Sequence, residues 1–250
     1  MKALITGATS GIGKCIAEKL SQRGWELILT GRNEEILAEM AERLGKCEIV
    51  AADLSQKSEI FRVYDFCRGK NVDMLVNNAG FGVFGRFSET DLETELDMLT
   101  VNITAVHILM KLFLREFREK DSGIILNVAS AAAYLTGPLM ASYYASKSYV
   151  LKLSAAAAEE LRREGSKVKI TVLCPGPVNT EFNNRAGVTF SMKPVSAEKT
   201  ADCGLNAAFS GKLIAIPNLV TKLGVTGARF LSHKLTARLV YGMQERKKGV

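Results

Sequence analysis

A doubly wound α/β fold, with a seven-stranded parallel sheet and helices on both faces, is the architecture this 250-residue sequence predicts. Two observations carry that expectation. Short runs rich in β-branched residues, Leu and Ile recur seven times, and amphipathic helical patterns with apolar residues at three- and four-residue intervals lie between them. Such alternation gives right-handed βαβ units, because a parallel neighbour can be reached only through a crossover.

In chain order, strands are expected at residues 3–6, 27–30, 48–51, 74–76, 124–128, 169–173 and 213–216. The intervening helices are expected at 13–23, 34–44, 58–68, 92–118 and 144–163. No repeat, charge block or Ser/Pro linker divides the chain, so residues 1–250 read as a single domain. After Thr180 the rhythm loosens. Residues 181–211 read as a substrate lid, carrying Phe182, Val188, Phe190 and Met192, followed by a helix with Ser196 as its N-cap. Residues 212–250 hold the last strand and a basic amphipathic segment.

Hydrophobic residues make up 47% of the chain and charged residues 24%, which excludes collagen-like, low-complexity and disordered classes. The best apolar run, residues 103–114, is interrupted by His107 and Lys111, so no membrane span is expected. Five scattered cysteines without a Cys-x-x-Cys pair indicate neither a disulfide framework nor a metal site. An apolar strand pattern starting at residue 2 makes the cytoplasm the expected location. The formal charge of +7 resides wholly in residues 212–250, which hold eight Lys/Arg and one acid. No nucleic-acid-binding face is therefore expected over the rest of the domain.

The first strand runs into TGATSGIG, placing Gly7, Gly11 and Gly13 at the turn into a helix. Glycines let a backbone approach a pyrophosphate closely, and the helix N-terminus attracts the anion, as in a Rossmann-type domain. The spacing is Gly-x-x-x-Gly-x-Gly, a departure from the commoner Gly-x-Gly-x-x-Gly fingerprint. At the end of the second strand the sequence reads LILTGRNEE, with Arg32 where an acid would receive an NAD ribose. A guanidinium about 4 Å from a phosphate gains roughly 4 kcal/mol per unit charge before desolvation at an effective dielectric near 20. NADP(H) is thus the expected cofactor; the alternative for Arg32 is a solvated loop cation near Glu34 and Glu35.

Together with that turn, NNAG at residues 77–80, Ser130, YYASK at 143–147 and PGPVNT at 175–180 resemble the short-chain dehydrogenase/reductase family, over residues 1–211. Of the adjacent tyrosines, Tyr143 has Lys147 one helical turn later, whereas Tyr144 has Ser148, so Tyr143 is the candidate acid/base. A nearby ammonium is expected to draw its pKa down toward the working range. Ser130 stands at a strand end, where its hydroxyl can stabilise a developing oxyanion; a turn serine is the alternative. The resemblance implies that Asn102 holds a water behind Lys147, against the plainer reading of a surface polar residue. It also implies cofactor contacts from Gly7, Thr9, Ser10, Gly11, Ile12 and Gly13 at the turn, and from Arg32, Asp53 and Leu54 at the adenosine. Asn77, Asn78, Ala79 and Gly80 would lie along the adenosine half. Pro175, Gly176, Val178 and Thr180 would join Tyr143 and Lys147 near the nicotinamide. Asp53 could equally cap the following helix.

The expected activity is reversible, NADP(H)-dependent interconversion of a ketone or aldehyde with its alcohol. Phe81, Val83 and Phe84 suggest an apolar pocket for a steroid, acyl or aromatic carbonyl, although such residues can simply pack a loop. A non-catalytic NADP-binding or redox-sensing protein is the competing class; it has no need of the complete Asn102, Ser130, Tyr143, Lys147 set. Homodimers or homotetramers are expected through helices 92–118 and 144–163, whose apolar surface exceeds what one sheet face covers. Residues 219–243 interleave Leu and Val with Lys222, Arg229, Lys234 and Arg238, followed by Arg246, Lys247 and Lys248. They suit either peripheral contact with an anionic membrane or a subunit contact. The second is favoured because Gly224 and Gly227 would break a continuous helix and the charges do not segregate around it.

Overall fold

The computed structural model describes residues 1–180 and 194–245. Seven strands form one parallel sheet: β1 (Lys2–Thr6), β2 (Glu26–Gly31), β3 (Cys47–Ala51), β4 (Met74–Asn77), β5 (Ile124–Val128), β6 (Lys169–Leu173) and β9 (Ile214–Ala215). Their order across the sheet is β3-β2-β1-β4-β5-β6-β9. A separate pair, β7 (Val178–Asn179) and β8 (Val195–Ser196), was not anticipated from the sequence. Register is continuous across the centre: Ile5 sits opposite Leu29 on one side and Val76 on the other. The strand order reverses between β1 and β4, and the crevice beyond their carboxyl ends is where ligands bind in such sheets.

Side-chain alternation divides the core. From β1, Ala3 and Ile5 face α1 (Gly11–Gln22), α2 (Glu34–Leu44) and α7 (Ala197–Ser210), against Ile16, Leu20, Leu37 and Leu205. Leu4 faces the other layer, with Ile60 and Val63 of α3 (Lys57–Cys67), Leu109, Phe113 and Phe117 of α5 (Val106–Glu119) and Leu161 of α6 (Ala141–Arg163). Ser196 caps α7 as expected, its side chain accepting from Lys199 N.

Four expectations need correction. The helix expected at 92–118 is α4 (Leu92–Leu99), a π-helical turn at Thr100–Ala105 and then α5, so the extra residue of the π turn falls around Asn102. This run, Leu92–Glu119, is also long and apolar enough by length and composition to cross a membrane. Val106, Leu109, Met110, Phe113 and Phe117 pack one face of it into the core. Helix α6 begins at Ala141 rather than 144, which puts Tyr143 in its first turn. Finally, Gly224 and Gly227 do not break the C-terminal segment: both lie inside α8 (Leu219–Ala228), and the interruption comes at residues 229–232, before α9 (His233–Glu245). The lid residues Phe182, Val188, Phe190 and Met192, and the terminal Arg246, Lys247 and Lys248, lie outside the described residues.

Candidate active site

The glycine turn is fixed by hydrogen bonds to the residues that directly follow β4. Thr6 Oγ1 accepts from the backbone amides of Asn78 and Ala79, each at 3.0 Å, and the Asn78 side-chain amide donates to Thr6 O and Gly7 O, each at 3.0 Å. Gly7 has φ +62°, and a Cβ on Gly13 would stand 2.3 Å from Gly7 O. Asn78 and Gly13 therefore shape the turn. Helix α1 has no acid in its first turn, and Ser10 at its N-cap makes no side-chain cap hydrogen bond. Its leading amides face a cleft of about 900 Å³ lined by Thr9, Ser10, Gly11 and Ile12. That is the arrangement a phosphate requires.

Gly7, Arg32, Asp53, Leu54, Asn78, Ala79 and Gly80 line the same cleft, as do Pro175, Gly176, Val178 and Thr180. Arg32 follows β2 directly, is exposed, and makes no ion pair among the described residues, Glu34 and Glu35 included. Asp53 accepts from Ser55 N at 3.0 Å; the residue at the N-cap of α3 is Gln56, so Asp53 closes a turn rather than capping that helix. Asn77 lies behind the cleft, where its amide donates to Asn127 Oδ1 at 2.8 Å.

Ser130, Tyr143 and Lys147 meet at the other end of the cleft. Ser130 follows β5; its hydroxyl bonds that of Tyr143, accepts from Ala132 N at 3.1 Å and lies 3.4 Å from Pro175 O. Lys147 is buried, donates to Val128 O at 3.1 Å and stands 5.8 Å from the centre of the Tyr143 ring. Burial pulls its ammonium down to about 8. Burial also pushes the Tyr143 phenol well above its ordinary value, with Ser130's hydrogen bond pulling the other way. The expected lowering of that phenol by Lys147 is thus not what the site displays; desolvation outweighs it.

Asn102 is fully buried, which excludes the surface reading. Its Oδ1 accepts from Phe81 N at 3.1 Å, and its amide donates to Phe81 O at 2.9 Å and Ser146 Oγ at 3.1 Å. Ser146 in turn donates to Tyr143 O at 2.7 Å. Asn102 and Gly13 do not line the cleft; Asn102 braces the helix turn that carries Tyr143. Gly80 is required beside it, since a Cβ there would fall 2.8 Å from Asn102 Oδ1 and 3.2 Å from Lys147 Nζ.

Sequence reasoning missed Ser146, although its place three residues after Tyr143 was a signal. It also missed the cleft's far wall. Val220 and Leu223 of α8, Leu231 between the helices, and Leu239, Val240 and Met243 of α9 line it, and Gln244 Nε2 donates to the Tyr144 hydroxyl at 2.8 Å. Tyr144 is accordingly a pocket wall. Of the apolar residues after NNAG only Phe81 lines the cleft; Val83 and Phe84 pack with Met98 and Met140.

The family model for short chain dehydrogenases matches residues 1–189. The chain belongs to that family. An uncharacterized oxidoreductase of Staphylococcus epidermidis is 33% identical over 204 residues, 80% of this chain and 87% of that one. Among solved structures, a short-chain dehydrogenase from Sphingobium yanoikuyae in complex with NADPH superposes with a TM-score of 0.83 at 29% identity, covering 91% of this chain and 93% of its own. A short chain dehydrogenase/reductase from Burkholderia phymatum in complex with NAD gives 0.81 at 25% identity, covering 90% and 91%. As a short-chain dehydrogenase the protein is an oxidoreductase of carbonyl/alcohol pairs with a nicotinamide cofactor, and the uncapped α1 terminus facing the cleft fits that cofactor's diphosphate.

Proposed function

We propose that this protein is an NADP(H)-dependent reductase of apolar ketones or aldehydes. The observation that carries the reading is the convergence of Ser130, Tyr143 and Lys147 where the cleft meets the apolar wall of α8 and α9. A bound nicotinamide supplies the hydride in reduction and accepts it in oxidation. Tyr143 donates the proton to the substrate oxygen, and burial holds that proton on the phenol at neutral pH, the form that reduction needs. Ser130 donates to the same oxygen as it gains charge. Lys147, charged below about pH 8, adds positive potential beside them, while Asn102 and Ser146 hold the first turn of α6 in place.

Preference for the 2′-phosphate is supported by Arg32, an exposed cation at the cleft with no carboxylate partner among the described residues. Cytoplasmic placement is supported by five free cysteines. Self-association through α5 and α6 is supported by the small exposed residues Ala145 and Ala156 on α6, and light scattering tests it.

Initial rates with NADPH and NADH across steroid, acyl-thioester, sugar and small aromatic carbonyls decide the matter. The expected result is turnover of the apolar members with kcat/KM favouring NADPH, and an Arg32→Asp variant that loses at least about tenfold more with NADPH than with NADH. Equal or better wild-type kcat/KM with NADH overturns the cofactor assignment. NADPH binding without turnover of any carbonyl replaces the enzyme with a binding protein.

A further inference from the structure

Once the segment after β9 is read as two helices, its apolar and charged residues do segregate. On α9, Thr236, Val240 and Gln244 form the buried stripe, and Leu235, Leu239 and Met243 form an exposed stripe beside it. Lys234 and Arg238 run along the far edge of that second stripe, each one residue before a leucine. On α8, Thr221 and Val225 are buried, whereas Leu219, Val220 and Leu223 are about two-thirds exposed. Phe230, between the helices, is 86% exposed. Large apolar side chains so exposed over two consecutive helices mark a surface that something covers.

Charge selects the occupant. From residue 213 to the end of α9 at Glu245 there are four cations, Lys222, Arg229, Lys234 and Arg238, and one acid, Glu245, all exposed. A two-fold contact with a second copy would bring eight cations together with only the two copies of Glu245, at the end of α9, to pair them. A phospholipid surface offers phosphate groups to the cations and acyl chains to the leucines. The cleft supplies the third observation: Val220, Leu223, Leu231, Leu239 and Met243 are exposed on this face and also line the cavity, so the cavity opens within the apolar patch.

We propose that α8 and α9 dock the protein on an anionic phospholipid surface, with the cavity mouth turned toward the bilayer. A carbonyl compound dissolved in the lipid then reaches Tyr143 without crossing water. That route rests on the reductase reading; the docking does not.

Cosedimentation with vesicles tests it, using phosphatidylglycerol mixed equally with phosphatidylcholine, and phosphatidylcholine alone as the reference. The wild-type protein sediments with the anionic vesicles at low salt and is released at high salt. Lys234→Glu with Arg238→Glu weakens binding by about 30-fold or more, from two lost attractions. Phe230→Ser with Leu235→Ser weakens it by a similar factor. Neither pair lines the cavity, so turnover of a water-soluble ketone and the circular dichroism spectrum stay at wild-type levels. Sedimentation without any carbonyl turnover upholds the docking while removing the reductase. The proposal is overturned if the folded wild type stays in solution with anionic vesicles at low salt, or if the charge reversal leaves binding unchanged. It is also overturned if Phe230→Ser with Leu235→Ser dissociates a dimer of a protein that ignores vesicles.

Discussion

Around the glycine turn, polar atoms are committed to the backbone at the end of a neighbouring strand: Thr6 Oγ1 to Asn78 and Ala79, and the Asn78 amide to Thr6 and Gly7. Across the cavity, α8 and α9 join no sheet. Side-chain contacts hold them, such as Gln244 on Tyr144, His233 near Thr136 and the Arg229 guanidinium over the Tyr134 ring, together with buried Val225 and Val240. One end is a backbone lattice that tolerates little displacement. The other is an apolar wall that can repack, and it can change its ligand without disturbing the chemistry.

The largest effect should come where the two ends meet. Tyr143→Phe removes only the hydroxyl that Ser130 bonds, so turnover should fall by at least about a thousandfold while NADPH binding stays within a few-fold. Tyr144→Phe should retain substantial activity, because that hydroxyl faces Gln244. A reversal of the two results, measured as kcat beside NADPH titration, would transfer the acid/base role to Tyr144.

Gly13→Ala probes the lattice end. The added methyl would meet Gly7 O at 2.3 Å and the Asn78 amide nitrogen at 2.4 Å, neither of which can retreat without opening the turn. A loss of about 2 kcal/mol in stability is expected, with weaker NADPH binding than any single apolar substitution in α8 produces. Denaturant unfolding and NADPH titration check both. A variant as stable and as tight as wild type would show the turn to be less constrained than its hydrogen bonds indicate.

This difference between the ends also explains what could be read in the sequence. A backbone that must approach another backbone leaves glycines at fixed spacing, so Gly7, Gly11 and Gly13 were legible, as was the Tyr143 and Lys147 pair one helical turn apart. The π turn at Asn102 left no mark, because one extra residue in a helix barely perturbs the pattern of Leu92–Glu119. Nor could composition separate Phe81, which lines the cleft, from Val83 and Phe84, which pack beneath it. The far wall stayed hidden for a related reason: Val220, Leu223 and Leu239 belong to no motif, and only their exposure beside a cavity distinguishes them from core residues. Gly224 and Gly227 misled because glycine weakens a helix without forbidding it.

The buried lysine predicts a smaller effect, one that depends on pH. Lys147 holds its proton only up to about pH 8 in the folded protein, against 10.5 for the free side chain. Between those values the unfolded chain binds the extra proton, so stability rises with pH across the window on this group's account. The whole rise is at most roughly 3–4 kcal/mol, by the equivalence of one pKa unit to about 1.4 kcal/mol. Lys147→Met should remove that slope and gain stability relative to wild type below about pH 8. Urea unfolding from pH 7 to 10 measures it, and an unchanged slope in the variant would assign the titration to another group.

The finest test concerns the hydrogen bond from Gln244 that ties α9 to the catalytic helix. Gln244 is almost fully buried; among the described residues its Oε1 has no partner and its Nε2 has only the Tyr144 hydroxyl, at 2.8 Å. Tyr144→Phe leaves both amide atoms unpaired in an apolar wall, which costs about 1–3 kcal/mol, more than the bond's net worth of about 1 kcal/mol. Gln244→Leu removes the buried amide altogether and should be close to neutral, with the Tyr144 hydroxyl left facing the cleft. Adding Gln244→Leu to Tyr144→Phe should therefore recover most of the single variant's loss, a shift in Tm of about 2–4 °C per kcal/mol for a chain of this size. A double variant no more stable than Tyr144→Phe alone would mean that the amide is satisfied in solution, and that α9 is held to α6 by its apolar stripe alone.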